Sequence, residues 1–135
     1  MKRFLTVLFL VIPLAVFSQS NLLFNTTSYA FAKITSNGTY IWDDWEECVI
    51  RIKIDLNQNK VIIYSRVTQY YYIYDVYNNG DPYSDSKGGK QIKFYVVDQD
   101  GDKGNLRLRI ERNDNSQIYI DFKDCAWCYN VYKIN

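Results

Sequence analysis

The chain has 135 residues, with 16 Lys+Arg, 15 Asp+Glu and no His. This length suits a single domain, and a hydrophobic share of 47% excludes disorder as the main state. The absence of histidine excludes Ser-His-Asp and Cys-His catalytic sites and every His-ligated metal site.

Residues 1–18 have the layout of a secretory signal peptide. Lys2 and Arg3 give a positive start, residues 4–17 are mainly apolar, and a cleavage site is predicted after Ser18. The apolar run would span only about 21 Å as a helix, less than the ~30 Å hydrocarbon core of a bilayer. We therefore expect a secreted or periplasmic protein with no transmembrane segment.

Cleavage at this site leaves residues 19–135 as a single domain. This domain carries 14 basic and 15 acidic residues, for a net charge of −1. A nearly neutral protein has no global attraction for polyanions, so we expect neither nucleic acid nor an anionic membrane as a partner. The oligomeric state is left open.

Period-two alternation dominates the predicted domain and indicates β-strands with one face in water. Apolar side chains alternate with charged ones in three stretches: residues 49–55, 105–112 and 116–123. Other predicted strands are apolar or aromatic on both faces or lie near the two ends of the domain: residues 28–34, 61–66, 69–77, 91–98 and 129–134.

Turn-forming residues separate these stretches, as in Asn57-Gln58-Asn59 and Asn113-Asp114-Asn115. The best helical candidate is a short turn over residues 42–48, where Asp43 could act as the cap. The sequence therefore predicts an all-β antiparallel meander of about eight strands. We favour a small up-and-down barrel, because closure removes exposed edges, with a two-layer sandwich as the alternative.

Three cysteines remain in the domain: Cys48, Cys125 and Cys128. An oxidising compartment predicts one disulfide and one leftover thiol. Cys48 shares the parity of core-facing Ile50, and a Cys48–Cys128 bridge closing about 80 residues would contribute about 4 kcal/mol. A local Cys125–Cys128 bridge is the alternative.

The C-x-x-C spacing of Cys125 and Cys128 is also that of thiol–disulfide oxidoreductases. In those enzymes the motif follows a strand and opens a helix, whereas here it lies between two predicted strands. A structural bridge is therefore the preferred interpretation.

The segment from Asp98 to Gly104 places Asp98, Asp100 and Asp102 at alternate positions, like the start of a Ca²⁺ loop. Such loops require a glycine at position six, whereas here the glycines stand at positions four and seven. They also require a glutamate at position twelve, which here is Arg109. Asp and Gly are also ordinary turn residues. We expect a turn, with a weak calcium site as the alternative.

Aromatic residues are unusually frequent, with 13 Tyr and 3 Trp. In the stretch 69–77, alternation predicts Tyr70, Tyr72 and Tyr74 on one face and Tyr71 and Tyr77 on the other. Exposed aromatic side chains stack on sugars or anchor protein partners, although strand propensity also favours them. The candidate ligand-binding residues are Trp45, Tyr70, Tyr72, Tyr74 and Tyr83.

The long connection over residues 78–89 is the predicted specificity element, because binding residues concentrate on loops. We expect an exported, non-enzymatic β-module without a cofactor, whose aromatic surface binds a saccharide, a small apolar molecule or a protein partner. The alternatives are a thiol–disulfide oxidoreductase and a structural envelope protein. In size and patterning the chain resembles short exported β-proteins of Gram-negative bacteria, a resemblance that carries no residue roles.

Overall fold

The fold is taken from a computed structural model that describes residues 21–111 and 115–134. The predicted signal peptide lies outside the described residues, as do Asn113 and Asp114 of one predicted turn. In the described ranges no helix is long and apolar enough to cross a membrane.

Strands make up most of the described chain, together with one 3-10 turn at Tyr77–Gly80. The strands are β1 (Asn21–Ile34), β2 (Tyr40–Trp42), β3 (Glu46–Glu47), β4 (Arg51–Asp55), β5 (Lys60–Tyr64), β6 (Gln69–Val76), β7 (Tyr83–Ser84), β8 (Lys90–Asp98), β9 (Lys103–Ile110), β10 (Ser116–Asp121) and β11 (Cys125–Lys133).

Eight of these strands form a closed antiparallel barrel. Their order is β1-β4-β5-β6-β8-β9-β10-β11, and β11 pairs back onto β1 from Phe24↔Lys133 to Lys33↔Cys125. The short strands β2 and β3 add to β1, and β7 adds to β8. The predicted small up-and-down barrel is therefore confirmed over the sandwich.

The interior of the barrel is filled by the apolar side of each alternating strand. Eight aliphatic side chains there are fully buried: Ile52, Ile54, Val61, Ile63, Val96, Leu106, Ile118 and Ile120. Small eight-stranded barrels leave an interior just wide enough for side chains to fill. The barrel therefore has an aliphatic core at its centre.

Two β-bulges change which side chains face outward. One interrupts the β1–β11 pairing between Thr26 and Ser28. The other interrupts the β6–β8 pairing between Ile73 and Asp75, at Tyr74. A bulge places two residues opposite one and so resets the alternation beyond it.

The predicted helical turn over residues 42–48 is wrong. Trp42 ends β2, and Glu46–Glu47 form β3, paired with Tyr29 and Ser28 of β1. A seven-residue segment is too short to hold a helix by itself, whereas the edge of β1 supplies backbone partners. The strand predicted from residue 49 begins at Arg51, so Cys48 precedes β4 and is only half-buried.

Candidate functional site

The outer wall of the barrel carries two neighbouring grooves that share Tyr40 and Arg107. The first, called here the aromatic groove, has a volume of about 350 Å³ and includes Tyr40, Trp42, Asp85, Arg107, Arg109 and Tyr119 in its lining. The second, called the basic groove, has a volume of about 510 Å³ and includes Tyr40, Tyr74, Lys93, Lys103, Arg107 and Lys123.

Small side chains on the outer wall explain how the β2 rings reach the aromatic groove. Trp42 is in register with Ala32, which is in turn opposite Ala126. Ala32, Ala126 and the neighbouring Cys128 are buried although they lie on the outward face of their strands. Larger residues at these positions would block the approach of β2, so the small residues form the floor on which its rings rest.

Three aromatic rings lie together in this groove. The rings of Tyr40 and Trp42 stack with centroids 5.9 Å apart, and Trp42 meets the edge of Tyr119 at 6.2 Å. Burial raises the pKa of Tyr119 to about 12, so its hydroxyl stays neutral at physiological pH. The result is a partly exposed aromatic surface held in one orientation.

Arg107 is fixed between a carboxylate and a ring. Its Nε and Nη2 donate to Asp121 Oδ2 and Oδ1 at 2.6 and 3.1 Å. Its guanidinium carbon lies 4.3 Å from the Tyr119 ring centroid. The hydroxyl of Tyr40 donates to Asp121 Oδ1 at 3.1 Å, so the Asp121 carboxylate positions both the Tyr40 ring and the Arg107 guanidinium.

Asp85 ties the long connection after β6 to the barrel wall. Its Oδ1 accepts the backbone N–H groups of Lys87 and Gly89, each at 2.9 Å. Its Oδ2 accepts Arg109 Nε at 2.6 Å and Gln91 Nε2 at 3.1 Å. The bond from Arg109 is the main cause that holds the pKa of Asp85 well below its usual range.

The basic groove gathers positive charge with little compensation. Lys103 Nζ lies 5.3 Å from the Tyr74 ring centroid, and Lys93 Nζ lies 5.0 Å from that of Tyr77. Within residues 21–111 and 115–134, no carboxylate lies within 4.0 Å of the ammonium groups of Lys93, Lys103 or Lys123. The acidic member of the lining, Asp121, is already paired with Arg107.

The structure separates the tyrosines predicted on β6. Tyr71 is buried in the core, whereas Tyr72 and Tyr74 are exposed and Tyr70 is half-buried. Tyr74 lines the basic groove. Tyr70 and Tyr72 flank Lys60, with centroids 5.9 and 5.8 Å from its Nζ, and line neither groove.

The prediction that Tyr77 shares the face of Tyr71 is wrong. The bulge at Tyr74 resets the alternation, and Tyr77 lies in the 3-10 turn with its ring exposed. Its ring meets the edge of Tyr83 at 5.3 Å, and the Tyr83 hydroxyl donates to Gln91 Oε1 at 3.1 Å. Tyr83 therefore does not line the aromatic groove itself but hydrogen-bonds Gln91, which does.

Trp45 lies outside both grooves. Its side chain is 49% exposed, comparable to the 40% of Trp42. Trp45 follows β2 by three residues, so it falls beyond the short pairing that places Trp42 on the wall.

All three cysteines are free in the structure, so the expected disulfide is absent from it. Cys125 and Cys128 lie three residues apart in β11, on opposite faces and about 10 Å apart along the strand. A disulfide needs Cα atoms within about 7 Å, so this strand excludes the local bridge. Cys128 faces outward beside Tyr119, whereas Cys48 lies near the buried Tyr129 of the interior.

Asp98, Asp100 and Asp102 form a hairpin turn. Asp98 Oδ1 accepts the N–H groups of Asp100 and Asp102, each at 2.9 Å, and the Asp98 N–H donates to the Asp102 carbonyl at 2.9 Å. The described part of the chain contains no group of three or more residues suited to holding a metal ion. The Asp98 carboxylate is engaged in closing the turn, which is the role that the Asp-Gly composition favours.

Sequence reasoning missed most of the aromatic groove: Tyr40, Trp42, Asp85, Arg107, Arg109 and Tyr119. Alternation in residues 105–112 does place Arg107 and Arg109 on the charged face, but a charged face is by itself typical of a strand side in water. The signal that they have a further role is the run of small residues at Ala30, Ala32 and Ala126, where an outer face would ordinarily carry polar side chains.

Comparisons with protein-family models, with curated proteins and with solved structures gave no match.

Proposed function

We propose that this protein is an exported, non-enzymatic β-barrel module that binds an oligosaccharide in the aromatic groove. The observation that carries the proposal is the union, in one open groove, of the Tyr40 and Trp42 rings with two fixed Arg–Asp pairs. Export is supported by the signal-like layout of residues 1–18.

A sugar ring needs two kinds of surface from its receptor. Its C–H face packs on flat, amphipathic side chains, which Tyr40 and Trp42 provide. Its hydroxyls donate and accept hydrogen bonds at once, and the Arg107–Asp121 and Arg109–Asp85 pairs offer donors and acceptors side by side. Because each pair is already held in place, binding would order few additional side chains.

The chemistry of the groove favours binding over catalysis. A general acid near neutral pH needs a raised carboxyl pKa, whereas the pKa of Asp85 is lowered by Arg109. Burial raises the pKa of the Cys128 thiol to about 12, which suppresses the thiolate that a thiol–disulfide enzyme needs. The filled interior favours an outer ligand over a small apolar molecule inside the barrel.

The experiment is a binding screen of the secreted domain against a panel of neutral and charged oligosaccharides, followed by calorimetry on the hits. We expect Trp42→Ala to weaken binding about tenfold or more, since an aromatic anchor at the centre of a site commonly contributes over 1 kcal/mol. Trp45→Ala is the matched control and should bind like the native protein.

An equal loss of affinity in both tryptophan variants would show that the binding site is not the aromatic groove. A stable, folded protein that binds no member of the panel would overturn the proposal and favour the structural envelope protein instead.

A further inference from the structure

We infer that the ligand is an acidic oligosaccharide, whose sugar ring lies in the aromatic groove while its carboxylate or sulfate groups lie in the adjoining basic groove. This inference rests on the proposed function and names the class of saccharide that the same surface would take.

Charge distribution is the first argument. The predicted mature domain has a net charge of −1, yet the basic groove brings together Lys93, Lys103, Arg107 and Lys123 around a single carboxylate. That carboxylate, Asp121, is occupied by Arg107 and Tyr40. Three lysine charges therefore converge on one groove where the described residues place no ion-pair partner, and an anionic ligand would supply it.

The positions of the lysine head groups are the second argument. Lys93 and Lys103 each hold their ammonium group within about 5 Å of a tyrosine ring, at Tyr77 and Tyr74 respectively. A ring face attracts an ammonium without using up its N–H donors. The lysines are thereby oriented, while their hydrogen bonds remain available to an anion.

Continuity of the two grooves is the third argument. Tyr40 and Arg107 line both of them, so one ligand can extend from the tryptophan platform to the lysines. A short chain of sugars presents a C–H face and, on a neighbouring unit, an anionic group. The aromatic groove alone would not distinguish a neutral sugar from an acidic one.

The test compares matched pairs of saccharides by calorimetry. Galacturonate oligomers are measured against their methyl esters, and dextran sulfate oligomers against dextran. We expect at least one anionic member to bind about tenfold or more tightly than its neutral counterpart, with an affinity that falls as salt rises. The pair that responds identifies carboxylate or sulfate as the anion.

Protein variants assign the effect to the basic groove. The triple change Lys93→Gln, Lys103→Gln and Lys123→Gln should weaken anionic binding about tenfold and abolish the preference over the neutral form. The control triple is Lys33→Gln, Lys60→Gln and Lys90→Gln, which removes the same charge from outside both grooves. It should keep the preference for the anionic over the neutral saccharide. Trp42→Ala should weaken neutral and anionic forms alike.

Four outcomes would overturn the inference. Equal affinity for charged and neutral forms would leave the proposed function standing and remove only the acidic class. An equal effect of the two lysine triples would show net charge acting without a site. Binding of polyglutamate as tight as that of the acidic saccharides would show polyanion binding without sugar recognition, and absence of binding to every saccharide would overturn the proposed function as well.

Discussion

Arg109 Nε lies 2.6 Å from Asp85 Oδ2, and this contact joins a long surface connection to the wall of the barrel. Both side chains are largely shielded from water, and Arg109 also pairs with Glu111, which directly follows the end of β9. Only glycine leaves room for the Arg109 side chain at position 89, because a Cβ on Gly89 would lie 2.8 Å from Arg109 Nη2. The connection that forms one side of the aromatic groove is therefore held to the wall by this charged pair, together with the pairing of β7 with β8.

Acid should loosen this connection first. The folded-state pKa of Asp85 is depressed by its bond from Arg109, so the pair stabilises the fold fully above the unfolded value of about 3.9. Its contribution is lost as the pH falls from there toward the folded pKa, because the unfolded state binds the proton more readily. We expect Asp85→Asn to lower Tm at pH 7 and to flatten the dependence of Tm on pH below 5.

The control for this prediction is Asp44→Asn, in the exposed segment between β2 and β3. The dependence of Tm on pH in this variant should match that of the native protein. An unchanged slope in Asp85→Asn would mean that the Arg109–Asp85 contact does not stabilise the fold in solution.

Gly104 occupies a position of β9 that has no room for a side chain. A Cβ there would lie 2.5 Å from the backbone carbonyl oxygen of Asp121 and 3.0 Å from the Phe122 ring. Gly104→Ala should therefore cost about 2 kcal/mol or more of unfolding free energy in urea titration, although alanine is the better strand former. Lys103→Ala, at the exposed neighbouring position, should change stability by less than about 0.5 kcal/mol.

The aliphatic centre of the barrel should dominate its stability. Ile54 is fully buried among strands β1, β4 and β5, and Ile54→Ala should cost about 2–5 kcal/mol by lost burial and cavity formation. Ile41 in β2 is 56% exposed, so Ile41→Ala should stay within about 0.5 kcal/mol. Similar costs for the two variants would contradict the placement of the core.

The cysteines should differ in reactivity. Burial raises the pKa of Cys128 to about 12, so iodoacetamide at pH 8 should leave it unmodified in the native protein. Cys48 and Cys125 are half-buried and should react slowly, and all three should react once the chain is denatured. Mass spectrometry of peptides from protein purified without reductant reads the result, and a peptide pair joined by a disulfide would contradict three free thiols.

Local sequence predicted the eight barrel strands at least in part, while the barrel was favoured over the sandwich by the argument that closure removes exposed edges. Alternation in residues 105–112 and 116–123 predicted β9 and β10 together with their inward sides, because the side-chain period of a strand is fixed by its backbone. It failed at residues 42–48, where pairing with the edge of β1 decided the structure, and at Tyr77, where one bulged residue reversed the expected face.

By itself, the sequence determined that the domain is built of strands with one apolar side, because the alternation of side chains is a local property of the strand backbone, and it favoured a barrel over a sandwich. Only the tertiary structure decided that Tyr40, Arg107 and Asp121 meet, although the first and last are 81 positions apart. Because β11 closes onto β1, the Tyr40 and Trp42 side chains of β2 reach Asp121 and Tyr119 of β10 across small residues of β1 and β11. A groove built in this way depends on pairing between distant strands, which no local pattern encodes.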